Sequence, residues 1–265
     1  MELCTLASGS SGNAVFLGTD ETGILIDSGI SGKRTEEGLR TIGRTGGDLS
    51  AILLTHEHAD HVQGLGVLAR KLGIPIYATE GTRNAVKRMR SLGEIPDDLF
   101  HVVKADEPVQ IGELTVSPFS ISHDAAEPVG YRVESRGKSA AVATDMGVYT
   151  EETIRHLKGL DVLLLEANHD IHMLEVGRYP YYLKMRILGE KGHLSNEASG
   201  RLLSEVLHDN MKHILLGHLS KDNNYPALAY ETVCAEVTMG DSPYRAGDFP
   251  IHVAERDRAG ERIIF

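Results

Sequence analysis

Cysteine is scarce: Cys4 and Cys234 are the only two in 265 residues. Neither sits in a C-x-x-C pair or has an evident partner histidine, and both lie in apolar text, so they read as buried reduced thiols and not as a disulfide. Long hydrophobic runs are missing, since no apolar stretch approaches the roughly 20 residues that span a bilayer. The opening Met1-Glu-Leu-Cys-Thr-Leu6 lacks a basic segment followed by an apolar core, so no secretory signal is expected. Together these absences point to a cytoplasmic protein with no membrane partner. A surplus of positive charge is missing too. Lys and Arg number 27 against 38 Asp and Glu, a formal net charge of -11. That is not the balance of a protein that coats nucleic acid, although bound divalent metals would add positive charge at one place. Gly9-Ser-Ser-Gly12 lacks the spacing of a nucleophile elbow. Gly32-Lys33 lacks the upstream glycine of a phosphate-binding loop. Linkers rich in Pro, Gly or Ser and internal repeats are absent, so residues 1–265 are expected to form a single domain.

What is present is an alternation of strand-like and helix-like text. Short β-branched or apolar segments predict strands over 15–17, 23–27, 51–55, 74–78, 114–121, 130–134, 140–144, 162–167 and 213–216. Helices are expected over 61–72, 81–92, 151–158, 196–207 and 226–237. Gly73 and Pro75 close the first, Ser195 can cap the fourth, and Pro226 opens the fifth. The segments 51–54 and 162–165 are continuously apolar, which suggests strands covered on both faces. The class is α/β. Two facing sheets with helices outside satisfy the pattern, and so does one doubly wound sheet. Lys87, Arg88 and Arg90 read as a solvated basic helix face.

One run carries chemistry. The buried strand Ala51-Ile-Leu-Leu-Thr55 leads into His56-Glu57-His58-Ala59-Asp60-His61 and then into helical text. Three histidines and an aspartate at a strand-to-helix junction have no packing rationale. His56 and His58, two apart in extended backbone, share a side, while Asp60 and His61 can reach a second, neighbouring point. Imidazole and carboxylate suit zinc, manganese or iron.

H-x-H-x-D-H in this setting resembles the signature of the metallo-β-lactamase superfamily. The resemblance implies a four-layer αββα sandwich with its metal site at the strand-end edge of the two sheets. Ile24-Leu-Ile-Asp27, Ile121-Ser-His123-Asp124, Ala143-Thr-Asp145-Met-Gly147 and Leu215-Leu-Gly-His218-Leu-Ser220 look like the family's remaining motifs. The implied ligands are His56, His58, His123 and Asp145 for one metal, and Asp60, His61, Asp145 and His218 for the other, with Asp27 steadying the metal loop from behind. Leu6-Ala-Ser-Gly-Ser-Ser-Gly-Asn13, Glu166-Ala-Asn-His169-Asp170, Gly192-His193-Leu-Ser195-Asn196 and His218-Leu-Ser220-Lys-Asp-Asn223-Asn224 look like the YycJ branch, also called WalJ or VicX. That likeness covers nearly the full chain. It implies an exonuclease acting 5′ to 3′ on DNA, with a link to mismatch repair.

A bridging pair of divalent ions, Zn²⁺, Mn²⁺ or Fe²⁺, would lower the pKa of bound water so that a hydroxide is held between them, and would neutralise charge on a phosphate. Mn²⁺ is the ion expected for nuclease activity. Asp60 is expected to hydrogen-bond that nucleophile, and His169 or His193 to protonate the leaving oxygen. Candidate phosphate contacts are Asn13, Ser195 and Asn196 at a helix start, Ser220 and Asn223. A small-molecule hydrolase of the same fold, cleaving a phosphodiester, thioester or lactam, is the alternative. A silent binding module is disfavoured by the intact ligand set.

Overall fold

The apolar runs Ile24-Leu25-Ile26 and Ala51-Ile52-Leu53 lie side by side as parallel strands, all six residues sealed from solvent. Continuous apolar text is what a strand covered on both faces requires. The computed structural model describes residues 1–265, which divide into two units. The first comprises Met1–Ser120, Ala125–Gly137 and Glu255–Phe265, and the second Ile121–Asp124 and Lys138–Ala254.

In the first unit, β1 (Glu2–Ala7), β2 (Ala14–Gly18) and β3 (Gly23–Ile26) run antiparallel to one another. From β3 onward, β4 (Leu49–Leu53), β5 (Ile76–Ala78) and β6 (Phe100–Val102) are added in parallel. An antiparallel meander follows: β7 (Val109–Ile111), β8 (Leu114–Ser120) and β9 (Val129–Ser135). The second unit is built on β10 (Lys138–Ala143), β11 (Val162–Glu166), β12 (His213–Gly217) and β13 (Ile251–Val253), parallel throughout. β14 (Ile263–Ile264) pairs with β1 in the first unit.

Parallel neighbours end on the same side, so their C-terminal loops share one edge, the usual place for a site in an α/β sheet. Ile26 lies opposite Leu53, which brings Asp27 level with the residues leading to His56. In the second unit Ala143 lies opposite Leu165 and Glu166 opposite Gly217, which brings Asp145, Glu166 and His218 to one level.

Around these edges each unit has its own core. Phe16, Leu25, Ile52, Leu54, Val62, Leu65 and Leu68 cluster in the first, each full burial contributing about 1.5–3 kcal/mol. In the second, the helices Asn196–Val206 and Pro226–Met239 pack against each other and bury Leu202, Leu203, Val233 and Val237. Ser195 caps the former, its Oγ accepting from Ala198 N at 3.2 Å, and Pro226 opens the latter.

The helix expected over 61–72 is two, Ala59–Val62 and Leu65–Leu72, with a break at Gly64. The Gly64 N–H donates to Ser28 O at 2.8 Å, and a Cβ there would lie 2.0 Å from Ile30 O. Close approach of the loop after β3 therefore ends the first piece. The helices Gly32–Thr41, Ile171–Val176 and Tyr181–Leu188 lie outside the sequence expectation. Both cysteines are free, Cys4 buried and Cys234 half-buried. No helix is long and apolar enough to cross a membrane.

Candidate metal centre

In the first unit the loop after β4 carries His56, His58, Asp60 and His61. His56 and His61 are fully buried; His58 and Asp60 are half-buried. The His56 ring lies 4.6 Å from that of His58 and 4.1 Å from that of His61, centroid to centroid. Buried imidazoles this close need something that fixes their tautomers. Asp27 supplies it from a left-handed backbone (φ 62°) at the end of β3. Its Oδ1 accepts from Thr55 N at 2.9 Å, and its Oδ2 accepts from Thr55 Oγ1 at 2.8 Å. Oδ2 also lies 2.8 Å from His61 Nδ1, and a carboxylate only accepts, so Nδ1 carries the proton and Nε2 keeps its lone pair. Thr55 spends its single hydroxyl proton on Asp27, so at 3.0 Å it accepts from His56 Nδ1, and again Nε2 is left for a metal. Asn13 sits behind the loop: its Oδ1 accepts from Gly9 N at 2.9 Å, and its Nδ2 lies 3.1 Å from His61 Nε2 and 3.5 Å from Asp60 Oδ2.

The second unit places His123, Asp145, Glu166, His193 and His218 together. Asp145 and His218 follow β10 and β12 in the left-handed region, φ 63° and 56°. Such backbone costs on the order of 1–3 kcal/mol and tends to persist where surrounding structure fixes a functional side chain. His123 Nδ1 donates to Gly192 O at 2.9 Å. His218 Nδ1 and His193 Nδ1 both donate to Glu166 Oε1, at 3.0 and 2.8 Å. The other Glu166 oxygen accepts from Met146 N at 2.8 Å and Leu194 N at 3.1 Å. Burial by itself would raise the Glu166 pKa; the charge and hydrogen bonds of His193, with those of His218, outweigh burial and hold the carboxyl well below the usual range. Asp145 Oδ1 lies 3.5 Å from His218 Nε2 and 3.7 Å from His123 Nε2.

These donors fit divalent metal. Ligand atoms about 2.0–2.2 Å from a common tetrahedral ion sit about 3.4 Å from one another. The Asp145 contacts have that spacing, and so does the 3.5 Å between His61 Nε2 and Asp60 Oδ2. Glu166 and His193 lie within 4.8 Å of Asp145 and His218 as well, but both Glu166 oxygens are taken by hydrogen bonds, so Glu166 orients the His193 and His218 rings. Glu166 is the residue whose role sequence reasoning missed, although its signal was there: an acid closing the wholly apolar strand Val162-Leu-Leu-Leu165.

The remaining candidates fall into two groups. Ser195 and Ser220 carry hydroxyls at loop ends, Ser220 Oγ accepting from Asn223 N at 3.2 Å. Asn196 is fully buried, its amide exchanging hydrogen bonds with Asn224 at 2.8 and 3.2 Å, so its side chain serves the loop framework. Asn223 is buried too, and its backbone carbonyl accepts from Asp170 N at 2.9 Å. His169 is 1% exposed, its ring nitrogens make no hydrogen bond, and burial pushes its pKa down to about 4. Its carbonyl accepts from Asn196 N at 2.9 Å.

Residues 22–215 match the beta-lactamase superfamily domain. The chain belongs to the metallo-β-lactamase superfamily and is a metal-dependent hydrolase with that superfamily's α/β sandwich fold. Its place there is the YycJ/WalJ-like branch. It is 42% identical over 233 residues to the exodeoxyribonuclease YycJ of Bacillus anthracis, covering 88% of each chain. It is 39% identical over 254 residues to the exodeoxyribonuclease WalJ of Streptococcus pneumoniae, covering 96% of this chain and 94% of that one. Among solved structures, Zn(2+)-bound PqqB from Methylobacterium extorquens matches with a TM-score of 0.72 at 19% identity, over 100% of both chains.

Proposed function

We propose that this protein is a dinuclear exodeoxyribonuclease that removes nucleotides from the 5′ end of DNA and serves DNA mismatch repair. The observation that carries the dinuclear reading is Asp145 Oδ1, which faces two imidazole Nε2 atoms at 3.5 and 3.7 Å, the arrangement of a bridging carboxylate. The names of the YycJ and WalJ relatives support DNA as the substrate. In this reading the two units act as one domain. His56, His58, His123 and Asp145 would hold one ion, and Asp60, His61, Asp145 and His218 would hold the other. Oxygen and nitrogen donors without thiolate suit Mn²⁺, with Zn²⁺ and Fe²⁺ also accommodated. Bound ions supply water of lowered pKa and neutralise phosphate charge.

The chain's own residues do the rest. Asp60 orients the attacking water by accepting its hydrogen bond. His193 gives the leaving oxygen its proton: it is partly exposed, its Nδ1 is committed to Glu166 at 2.8 Å, and its other nitrogen is the one that can face substrate. His169, buried and held neutral, serves the framework. Phosphate is held by the Ser195-capped helix start and the Ser220 hydroxyl, while Asn13, Asn196 and Asn223 fix the loops.

Metal-loaded protein with Mn²⁺ is expected to release nucleotides from 5′-phosphorylated or 5′-hydroxyl duplexes. No release from either, with metal shown to be bound, refutes the proposal. The net charge of -11 favours the second reading, a small-molecule hydrolase of the same fold. Turnover of a small phosphodiester with no action on any DNA would select it.

A further inference from the structure

The helix Tyr181–Leu188 buries none of its residues. Eight residues with no fully buried side chain make a marginal helix in water; Leu183 and Ile187 are half-buried, whereas Tyr181 and Tyr182 are 77% and 74% exposed, and Val176 and Met185, close to them in sequence, are exposed too. Single exposed apolar side chains are ordinary, but a contiguous group marks a surface built for a partner. The helix is also tied to the site. Its Ile187 carbonyl accepts from His193 N at 3.0 Å, and Arg186 pairs with Asp124, the neighbour of His123. Ser122 Oγ donates to Glu190 O at 2.8 Å just beyond the helix.

Charge chooses the partner. In a chain of net charge -11, the stretch between Glu175 and Glu190 contains Arg178, Lys184 and Arg186 and no acid, with Lys184 Nζ donating to the Glu175 carbonyl at 2.6 Å and Arg186 paired with Asp124. Exposed aromatic rings beside cations are the means by which proteins hold single-stranded nucleic acid, with bases on the rings and phosphates on the cations. We infer that this helix is a stacking platform for the unpaired end of the DNA strand being degraded, Tyr181 and Tyr182 taking bases and Arg178 and Lys184 the backbone. The inference rests on the nuclease reading for its choice of DNA.

The test is binding of a fluorescein-labelled oligothymidylate with phosphorothioate linkages to the metal-loaded protein, read by anisotropy. The double variant Tyr181→Ala/Tyr182→Ala is expected to bind about tenfold or more weakly, and Tyr181→Phe/Tyr182→Phe to bind as the native protein does. Hydrolysis of a small phosphodiester is expected to be the same in all three. The chain has no tryptophan and nine tyrosines, so the part of the tyrosine fluorescence quenched by an unlabelled oligonucleotide in native protein and not in the Ala variant reports stacking on Tyr181 and Tyr182. Affinity within twofold of native in the Ala variant overturns the platform. So does a fall from dimer to monomer on gel filtration with affinity unchanged, which would give the patch to a second copy of the chain. If native protein degrades no DNA yet the Ala variant loses the oligonucleotide, the platform stands and the nuclease reading falls.

Discussion

In the first unit four ligand candidates come from one loop, His56 to His61, and the loop leans on Asp27. In the second they come from separate places, His123 after β8, Asp145 after β10 and His218 after β12, and Glu166 at the end of β11 holds the rings of both His193 and His218. The first arrangement is local: one loop, one carboxylate, one hydroxyl. The second depends on the register of parallel strands and concentrates two imidazole hydrogen bonds on a single oxygen. A contiguous motif tolerates small shifts as a body, whereas ligands gathered from several strand ends share the consequences of one lost partner.

Among the groups that hold ligand rings from behind, the largest effect is therefore expected at Glu166. Removing a partner that orients a metal-binding histidine costs about 10–100-fold in metal affinity or activity. Glu166→Gln disturbs two rings at once and should fall near the 100-fold end, read as hydrolysis rate and as bound metal per chain. Asp27→Asn disturbs one imidazole directly and should cost nearer tenfold. Equal losses from the two variants would break the comparison.

Gly29→Ala tests the local loop by a different route. A Cβ there would lie 1.7 Å from the Asp60 carbonyl oxygen, so backbone must move. Thermal unfolding should show a loss of about 1–3 kcal/mol, with hydrolysis reduced alongside. Unchanged stability would mean that the loop after β4 is not held against the one after β3.

The smallest effect compares the thiols. Burial, with Glu2 nearby, pushes the Cys4 thiol up to about 11, which leaves little thiolate at pH 8. Cys234 is only half-buried. An aromatic disulfide reagent at pH 8 should label Cys234 first and Cys4 only on unfolding, and early labelling of Cys4 would contradict the packing of β1.

The same contrast explains what could be read from the sequence. His56 to His61 was legible because its residues adjoin and no packing need accounts for them. His123, Asp145 and His218 are single residues in unrelated text, and only family resemblance linked them, because strand register is not written locally. Glu166 was noted only as the start of a branch-like motif and given no role, although Val162-Leu-Leu-Leu165-Glu166 repeats the pattern of Ile24-Leu-Ile-Asp27, an acid closing an apolar strand. The helix Tyr181–Leu188 was invisible for a physical reason: none of its residues is fully buried and its apolar residues are spread around it, so no helical period stands out. The break at Gly64 was hidden because it arises from a contact with Ile30, distant in sequence.

Metal content measured together with nucleotide release tests the central claim most directly. Native chain should carry two divalent ions and release nucleotides from 5′-ended DNA. Asp145→Ala, which removes the shared carboxylate, should lose both metal and release while keeping its fold by circular dichroism. A chain that holds a single ion, or an Asp145→Ala variant that retains two ions and full release, would contradict the bridging role on which the account stands.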